Sequence, residues 1–150
     1  MTRPVPFYTT QQVRDTCLCL HLQRAARLLA RRFDDALRPY DLTNQQFSLL
    51  MALNRPEPPP LGPVADLLGI DRTTLTAAVK PLVRRGFVKV LPNPRDARSR
   101  SLHLTRRGEV RLAAAVPTWR RVHAELERQL DNVTPQALRR GLAALGEEPG

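Results

Sequence analysis

Cysteine is nearly absent from this 150-residue chain: Cys17 and Cys19 are the only two, and they lie too close in sequence to staple distant segments. That excludes a disulfide-built secreted scaffold, and in a cytosolic chain both would be free thiols. No apolar run approaches the roughly 18 residues that a membrane-spanning helix needs. Met1–Gln12, interrupted by Pro4 and Pro6, lacks the hydrophobic stretch of a signal peptide. The expected location is therefore cytoplasmic, with no membrane partner. Also missing are a nucleophile–base pair, a glycine-rich phosphate cradle and a complete metal-ligand set, so neither an enzyme nor a cofactor is expected. Lysine occurs only at Lys80 and Lys89, every other basic residue being arginine.

Acid is scarce where base is dense. Between Arg72 and Arg111 lie Arg72, Lys80, Arg84, Arg85, Lys89, Arg95, Arg98, Arg100, Arg106, Arg107 and Arg111, against Asp96 and Glu109 alone. This segment accounts for nearly all of the net charge of +10. An ordinary solvated face mixes both signs. An imbalance this local points to a polyanion whose phosphates exchange condensed counterions for arginine.

At 42% hydrophobic residues the chain can bury a core and is read as one domain, 1–150. Leu18, Leu22, Ala25, Leu29 and Phe33 recur at three- and four-residue steps, predicting a long amphipathic helix over about Thr9–Leu37 that Pro39 ends. Thr43 and Gln46 form a capping box for a second helix to about Leu53, and the proline tract Arg55–Pro60 cannot continue it. A short helix over Pro63–Leu68 should stop at Gly69, and Asp71 should cap a fourth helix to about Arg85, closed by Gly86 and awkward only at Pro81. Phe87–Leu91 and Ser101–Leu104 alternate as two strands joined by a long loop containing the basic tip. Thr105 caps a fifth helix to about Leu130, bent at Pro117, and Thr134-Pro135 opens a sixth ending near Gly146. The expected fold is thus mainly α with a small β-hairpin wing. The terminal helices, about 9–38 and 106–146, lack neighbours within one chain and are read as homodimerisation arms around a centre at about 43–105.

Within that centre, a short helix, a turn at Gly69 and a second helix beginning Arg72-Thr73-Thr74-Leu75-Thr76-Ala77-Ala78 match a helix-turn-helix whose reading helix needs short residues in its first turns. Arg72 can reach a guanine edge or a phosphate, and the threonines can offer hydroxyls and methyls to bases. Leu75, Val79 and Leu82 fall on the core side. Leu42-Thr43 with Gln46-Phe47 and Leu50, Leu67–Thr76, Leu82, Gly86-Phe87-Val88, the tip Asp96-Ala97-Arg98-Ser99-Arg100, and Leu104-Thr105 followed by Gly108 together resemble the MarR family of bacterial winged-helix transcription regulators.

The resemblance implies a dimeric winged helix-turn-helix that binds a palindromic operator in double-stranded DNA, as a repressor. It implies contacts from Arg72, Thr73, Thr74, Thr76, Lys80 and Arg84 on the reading helix and from Arg95, Asp96, Arg98 and Arg100 on the wing. Arg98 would enter a narrow minor groove. Asp96 would orient an arginine, or else is a simple turn residue. The rival reading of the basic charge is a non-specific architectural DNA-binding protein, which would leave no sequence-specific footprint.

Family members answer to small, often aromatic acids or to oxidation. A crevice between arms and winged helix would draw on Arg14, His21, Arg24, Trp119 and His123. Cys19 stands where the peroxide-sensing branch carries its reactive cysteine, but Phe33 and Asn44 occupy the positions of that branch's two tyrosines. Cys17 should point away from Cys19 on a continuous helix. Only Cys17 and His21 would share a face, too few for a metal. Both cysteines are therefore read as buried helical residues, and organic hydroperoxide is expected to leave a DNA complex intact.

Overall fold

Local capping chemistry decides where most helices begin. In the computed structural model, which describes residues 3–147, Thr43 Oγ1 accepts the Gln46 N–H at 3.1 Å and Gln46 Oε1 accepts the Thr43 N–H at 3.1 Å, completing the capping box of α3 (Asn44–Leu53). Asp71 caps α5 (Arg72–Arg84) by accepting the Thr74 N–H at 2.6 Å, Thr105 caps α6 (Arg106–Arg128), and Thr134 caps α7 (Pro135–Gly146). Gly69, at φ +67°, ends α4 (Leu61–Leu68), and Gly86, at φ +78°, follows α5. Both take the left-handed conformation that an L side chain resists.

The Asp71 carboxyl is held below its ordinary pKa, chiefly by the Thr74 backbone N–H. A depressed folded-state pKa means that the cap's stabilisation is present at neutral pH and fades as pH falls through that lowered value. Melting curves of the parent and Asp71→Ala should therefore differ at pH 7 and converge in strong acid, where both lack the ionised cap. A gap that persists unchanged in strong acid would show that the cap does not act through its charge.

Two elements depart from the expected pattern. The first helix is not continuous: α1 (Phe7–Thr16) stops, Cys17 takes extended backbone at φ −70° and ψ 111°, and α2 (Leu18–Leu37) starts afresh. Thr16 turns its hydroxyl back to the Gln12 carbonyl at 2.7 Å, while Cys17 Sγ receives the Leu20 N–H at 3.5 Å as a cap. α2 does end at Leu37 as expected, and Pro39 lies in the 3-10 turn Arg38–Tyr40 that follows it. The hairpin has no long loop. Strands β1 (Val88–Asn93) and β2 (Asp96–Leu104) pair antiparallel out to Asn93 opposite Asp96, with a shift of register at Pro92/Asn93, so the basic tip is itself strand. Asn93 Oδ1 accepts the Arg95 N–H at 3.0 Å, which folds a tight turn between the strands. Pro81 and Pro117 both lie inside unbroken helices.

The core sits in the centre of the chain, where Leu37, Leu42, Leu49, Leu50, Leu75, Leu82, Phe87 and Leu102 are buried. The proline tract braces the hairpin: Pro59 O accepts the Leu102 N–H at 3.0 Å, and Pro60 bridges Ser101. Of the expected arms, α6 does find neighbours within the chain, burying Gly108, Leu112, Ala115 and Val122; the other terminal helices are different. Neither α1 nor α7 buries a residue, α2 buries only Leu37, and Phe7, Tyr8, Leu18, Leu22, Leu29, Leu138, Leu142 and Leu145 stay exposed. Polar bonds tie α2 and the turn after it to α6 and α3. Arg32 meets Glu125 at 2.8 Å, Tyr40 Oη meets Thr118 Oγ1 at 2.7 Å, and Asp34 accepts both the backbone and side-chain N–H of Asn44. The Glu125 carboxyl is held below its usual range, first of all by Arg32. No helix among the described residues is long and apolar enough to cross a membrane.

Candidate nucleic-acid interface

Burial along α5 follows its helical period. Leu75, Val79 and Leu82 face the core, and Arg72, Thr73, Thr74, Thr76, Ala77, Lys80 and Arg84 are exposed. The exposed side is crowned by small side chains, so a helix presenting it can lie deep against a grooved surface. Thr76 spends its hydroxyl proton on the Arg72 carbonyl at 2.8 Å, leaving its oxygen lone pairs and methyl outward. Arg72 folds back over the start of α4: a Cβ at Gly62 would come within 2.9 Å of its guanidinium. The small residue at 62 is what gives Arg72 that berth.

The hairpin stands beside this helix. An apolar cleft of about 420 Å³ separates the two, with Thr76, Val79, Lys80, Val83 and Arg84 on one wall and Val90, Arg100 and Leu102 on the other. Three cations therefore ring one cleft, and the reading helix and the wing share a single basic face. Arg98 and Arg100 project exposed from β2, with no carboxylate bonded to either guanidinium among the described residues. Asp96 does not hold an arginine head group. Its Oδ1 accepts the backbone N–H of Arg98 at 3.0 Å, so it fixes the strand that carries Arg98 and leaves the guanidinium free. The turn-residue reading of Asp96 describes this geometry. Arg95 leans 3.8 Å from Glu57 across an exposed gap, a contact of little energetic weight.

The five expected effector residues do not converge. Arg14 is paired with Asp15 at 2.7 Å on α1, His21 Nδ1 lies 2.7 Å from the Cys17 carbonyl oxygen, and Arg24 is exposed on α2. Trp119 and His123 do meet, stacked at 4.8 Å, with Phe47 behind Trp119 at 6.2 Å. Trp119 lines a cavity of about 400 Å³ together with Phe47, Met51, Leu67, Val116 and Arg120. Phe47 and Met51 reach this cavity from α3 and Arg120 from α6, far apart in the sequence, and the one signal there for them was Arg120 adjoining Trp119.

The cysteines are not buried: Cys17 is partly exposed and Cys19 exposed. The break at Cys17 also removes the argument that two residues on one helix must diverge. Asn44 is occupied by Asp34, and Phe33 packs against the core, so neither offers a hydroxyl to a thiol. No group of three or more metal-ligating side chains occurs among the described residues.

A reading helix and basic hairpin set on one face have known counterparts. The transcriptional regulator MosR of M. tuberculosis, solved in complex with DNA, is 38% identical to this chain, with a TM-score of 0.79 over 87% of this chain and 94% of its own. The repressor CouR, solved on a 23-mer DNA duplex, is 29% identical, with a TM-score of 0.78 over 91% of this chain and 96% of its own. The transcriptional activatory protein BadR of Rhodopseudomonas palustris is 34% identical over 94 residues, 61% of this chain and 54% of BadR. The chain thus spans little more than half the length of the curated relatives it matches. The MarR family model matches residues 42–99, from Leu42 through the reading helix to Ser99 of the wing, and with MosR aligned over nearly its whole length, this chain belongs to the MarR family.

Proposed function

We propose that the chain is a sequence-specific DNA-binding transcription regulator, acting in the cytoplasm as a homodimer on a palindromic operator and repressing by occupying it. The observation that carries this is the shared basic face: the exposed small-residue side of α5 and the arginines of β2 flank one cleft, so one rigid unit can address adjoining grooves of a duplex. Nuclease protection of the DNA upstream of its own gene is the test. A protected palindrome supports the reading, and uniform binding with no footprint would support an architectural protein instead.

The same assay separates readers from anchors. Thr73→Ala or Thr76→Ala should change which bases are preferred, while Arg84→Ala should weaken all sequences alike and flatten the salt slope by about one phosphate contact. Arg98→Ala should lose at least about tenfold in affinity, roughly 1.4 kcal/mol, without lowering the melting temperature, because its side chain touches nothing that stabilises the fold. Unchanged affinity at physiological salt would remove the wing from the interface.

An effector fits best beside Trp119. The cavity there offers the Phe47 and Trp119 rings to a planar group and the Arg120 cation to an acid, which suits a small aromatic carboxylate. Arg14, His21 and Arg24 are not part of that reading. A second reading rests on the break at Cys17. With Cys17 in extended backbone and Cys19 exposed in the following turn, attack of the Cys19 thiolate on a hydroperoxide would release an alcohol and leave a sulfenic acid. The Cys17 thiol would then displace water to form a disulfide, and the Sγ cap of α2 would be lost. Release of bound DNA by stoichiometric organic hydroperoxide, abolished in Cys19→Ser, supports this second reading. A complex that stays bound leaves the aromatic effector alone.

A further inference from the structure

In a dimer that reads two half-sites about one helical turn apart, the arms set the separation and the reading elements must follow them without play. The structure shows where the two systems meet. Phe87, directly after Gly86, is both the end of the reading unit and the root of the wing, and its backbone is clamped on each side. Its N–H donates to Leu82 O at 2.9 Å, its carbonyl accepts the Thr105 N–H at 3.0 Å, and Thr105 Oγ1 donates to Gly86 O at 2.6 Å. Its ring is buried beneath three guanidiniums, those of Arg85, Arg111 and Arg107, at 4.7, 5.0 and 5.6 Å from the centroid.

Of the three, Arg111 has a second engagement. While its guanidinium lies over the Phe87 ring, its Nη1 donates to the Tyr40 carbonyl at 2.7 Å, and the Asp41 carboxylate stands 3.7 Å away. Tyr40 closes the 3-10 turn that ends the arm helix α2, and its own hydroxyl is pinned to Thr118 of α6. One planar side chain therefore joins the last turn of the arm to the root of the wing, using its edge for a carbonyl and its face for a ring. Arginine suits this because a guanidinium carries donors in its plane and stacks through its faces, whereas an ammonium is a point charge.

We propose that Arg111 is a positioning residue for DNA reading: it transmits the placement of the N-terminal arm helix α2 to the wing, and thereby fixes the half-site spacing that the dimer accepts. The proposal rests on the DNA-binding reading for its consequence but not for its geometry. Arg107 is the internal control, since it projects from the same helix α6 over the same ring but has no bond to the turn that follows α2 among the described residues.

The test uses the full chain with Cys17 and Cys19 replaced by serine, spin labels at the exposed positions Arg27 on α2 and Ala97 on the wing, and excess unlabelled chain so that only distances within one chain are read. The arm-to-wing distance distribution should broaden in Arg111→Ala and stay narrow in Arg107→Ala, even where the two melt alike. Equal widths in both variants would overturn the proposal. The second arm uses duplexes selected from random DNA by the parent, with one base pair inserted or removed between half-sites. The parent should favour its own spacing by about tenfold and Arg111→Ala by about twofold or less, a difference of roughly 1 kcal/mol. An Arg111→Ala protein that weakens on every spacing in equal proportion counts against the proposal. If the parent selects no sequence at all, the regulator reading fails, while the distance measurement still decides for or against the strut.

Discussion

A chain that stops at Val133 is expected to sediment as a monomer and to lose operator affinity by about 10²–10⁴, the range gained when a second binding event is made intramolecular. The deleted helix α7 buries none of its residues in the single chain, and Leu138, Leu142 and Leu145 lie exposed at four- and three-residue steps along it. On the other arm Phe7, Tyr8, Leu18, Leu22 and Leu29 are exposed in the same way. Each such side chain is worth about 1.5–3 kcal/mol when fully buried, so a handful from each protomer can outweigh the several kcal/mol lost in association. Because nothing in α7 enters the core, the truncated chain should keep its central fold, and circular dichroism should show helix lost only in proportion to the deletion. A truncated protein that remains dimeric, or a monomer that holds a palindrome as tightly as the parent, would place the partner contact elsewhere.

The parts of this fold that were legible in the sequence are those decided within one turn of chain. Thr43 with Gln46, Asp71, Thr105 and Thr134 announced helix starts because their side chains reach backbone N–H groups three residues on, and each does so here. Gly69 and Gly86 marked turns because only glycine takes positive φ there without strain. The reading face of α5 was equally plain, since burial of Leu75, Val79 and Leu82 follows directly from a 3.6-residue period. What escaped depended on competition or on distance. The apolar rhythm that begins at Leu18 says nothing about Thr16 and Cys17, whose side chains satisfy backbone groups and so permit the break. The basic tip read as part of a long loop, yet Asn93 and Asp96 each accept a backbone N–H two residues on, and a tight turn joins paired strands. Asp96 looked like a partner for a guanidinium because charge is visible in sequence, whereas a side chain bonding its own backbone is not. The Trp119 cavity and the Arg111 bond to Tyr40 join residues far apart in the chain, where no local period could pair them.

Gly108→Ala should cost about 2–4 kcal/mol, although on helix propensity alone alanine would be favoured over glycine by roughly 0.5–1 kcal/mol. Gly108 sits in the first turn of α6, where its N–H donates to the Thr105 cap at 3.1 Å and its α-carbon packs on the wing root. A Cβ there would clash with the Phe87 carbonyl oxygen and stand 2.7 Å from Leu104 Cδ1. The leucine methyl can swing away, but the carbonyl cannot, because it is the acceptor for the Thr105 N–H that closes the hairpin onto α6. Relief therefore requires α6 to lift from Phe87, weakening that hydrogen bond and the guanidinium cover at once, and the steric term outweighs the propensity gain. For a chain of this size the loss corresponds to a fall in melting temperature of about 5–15 °C. The same displacement should move the wing relative to α5, so DNA affinity should fall at temperatures where the variant is still fully folded. A Gly108→Ala protein that melts at or above the parent would mean that α6 and the wing root are not packed as tightly as this geometry requires.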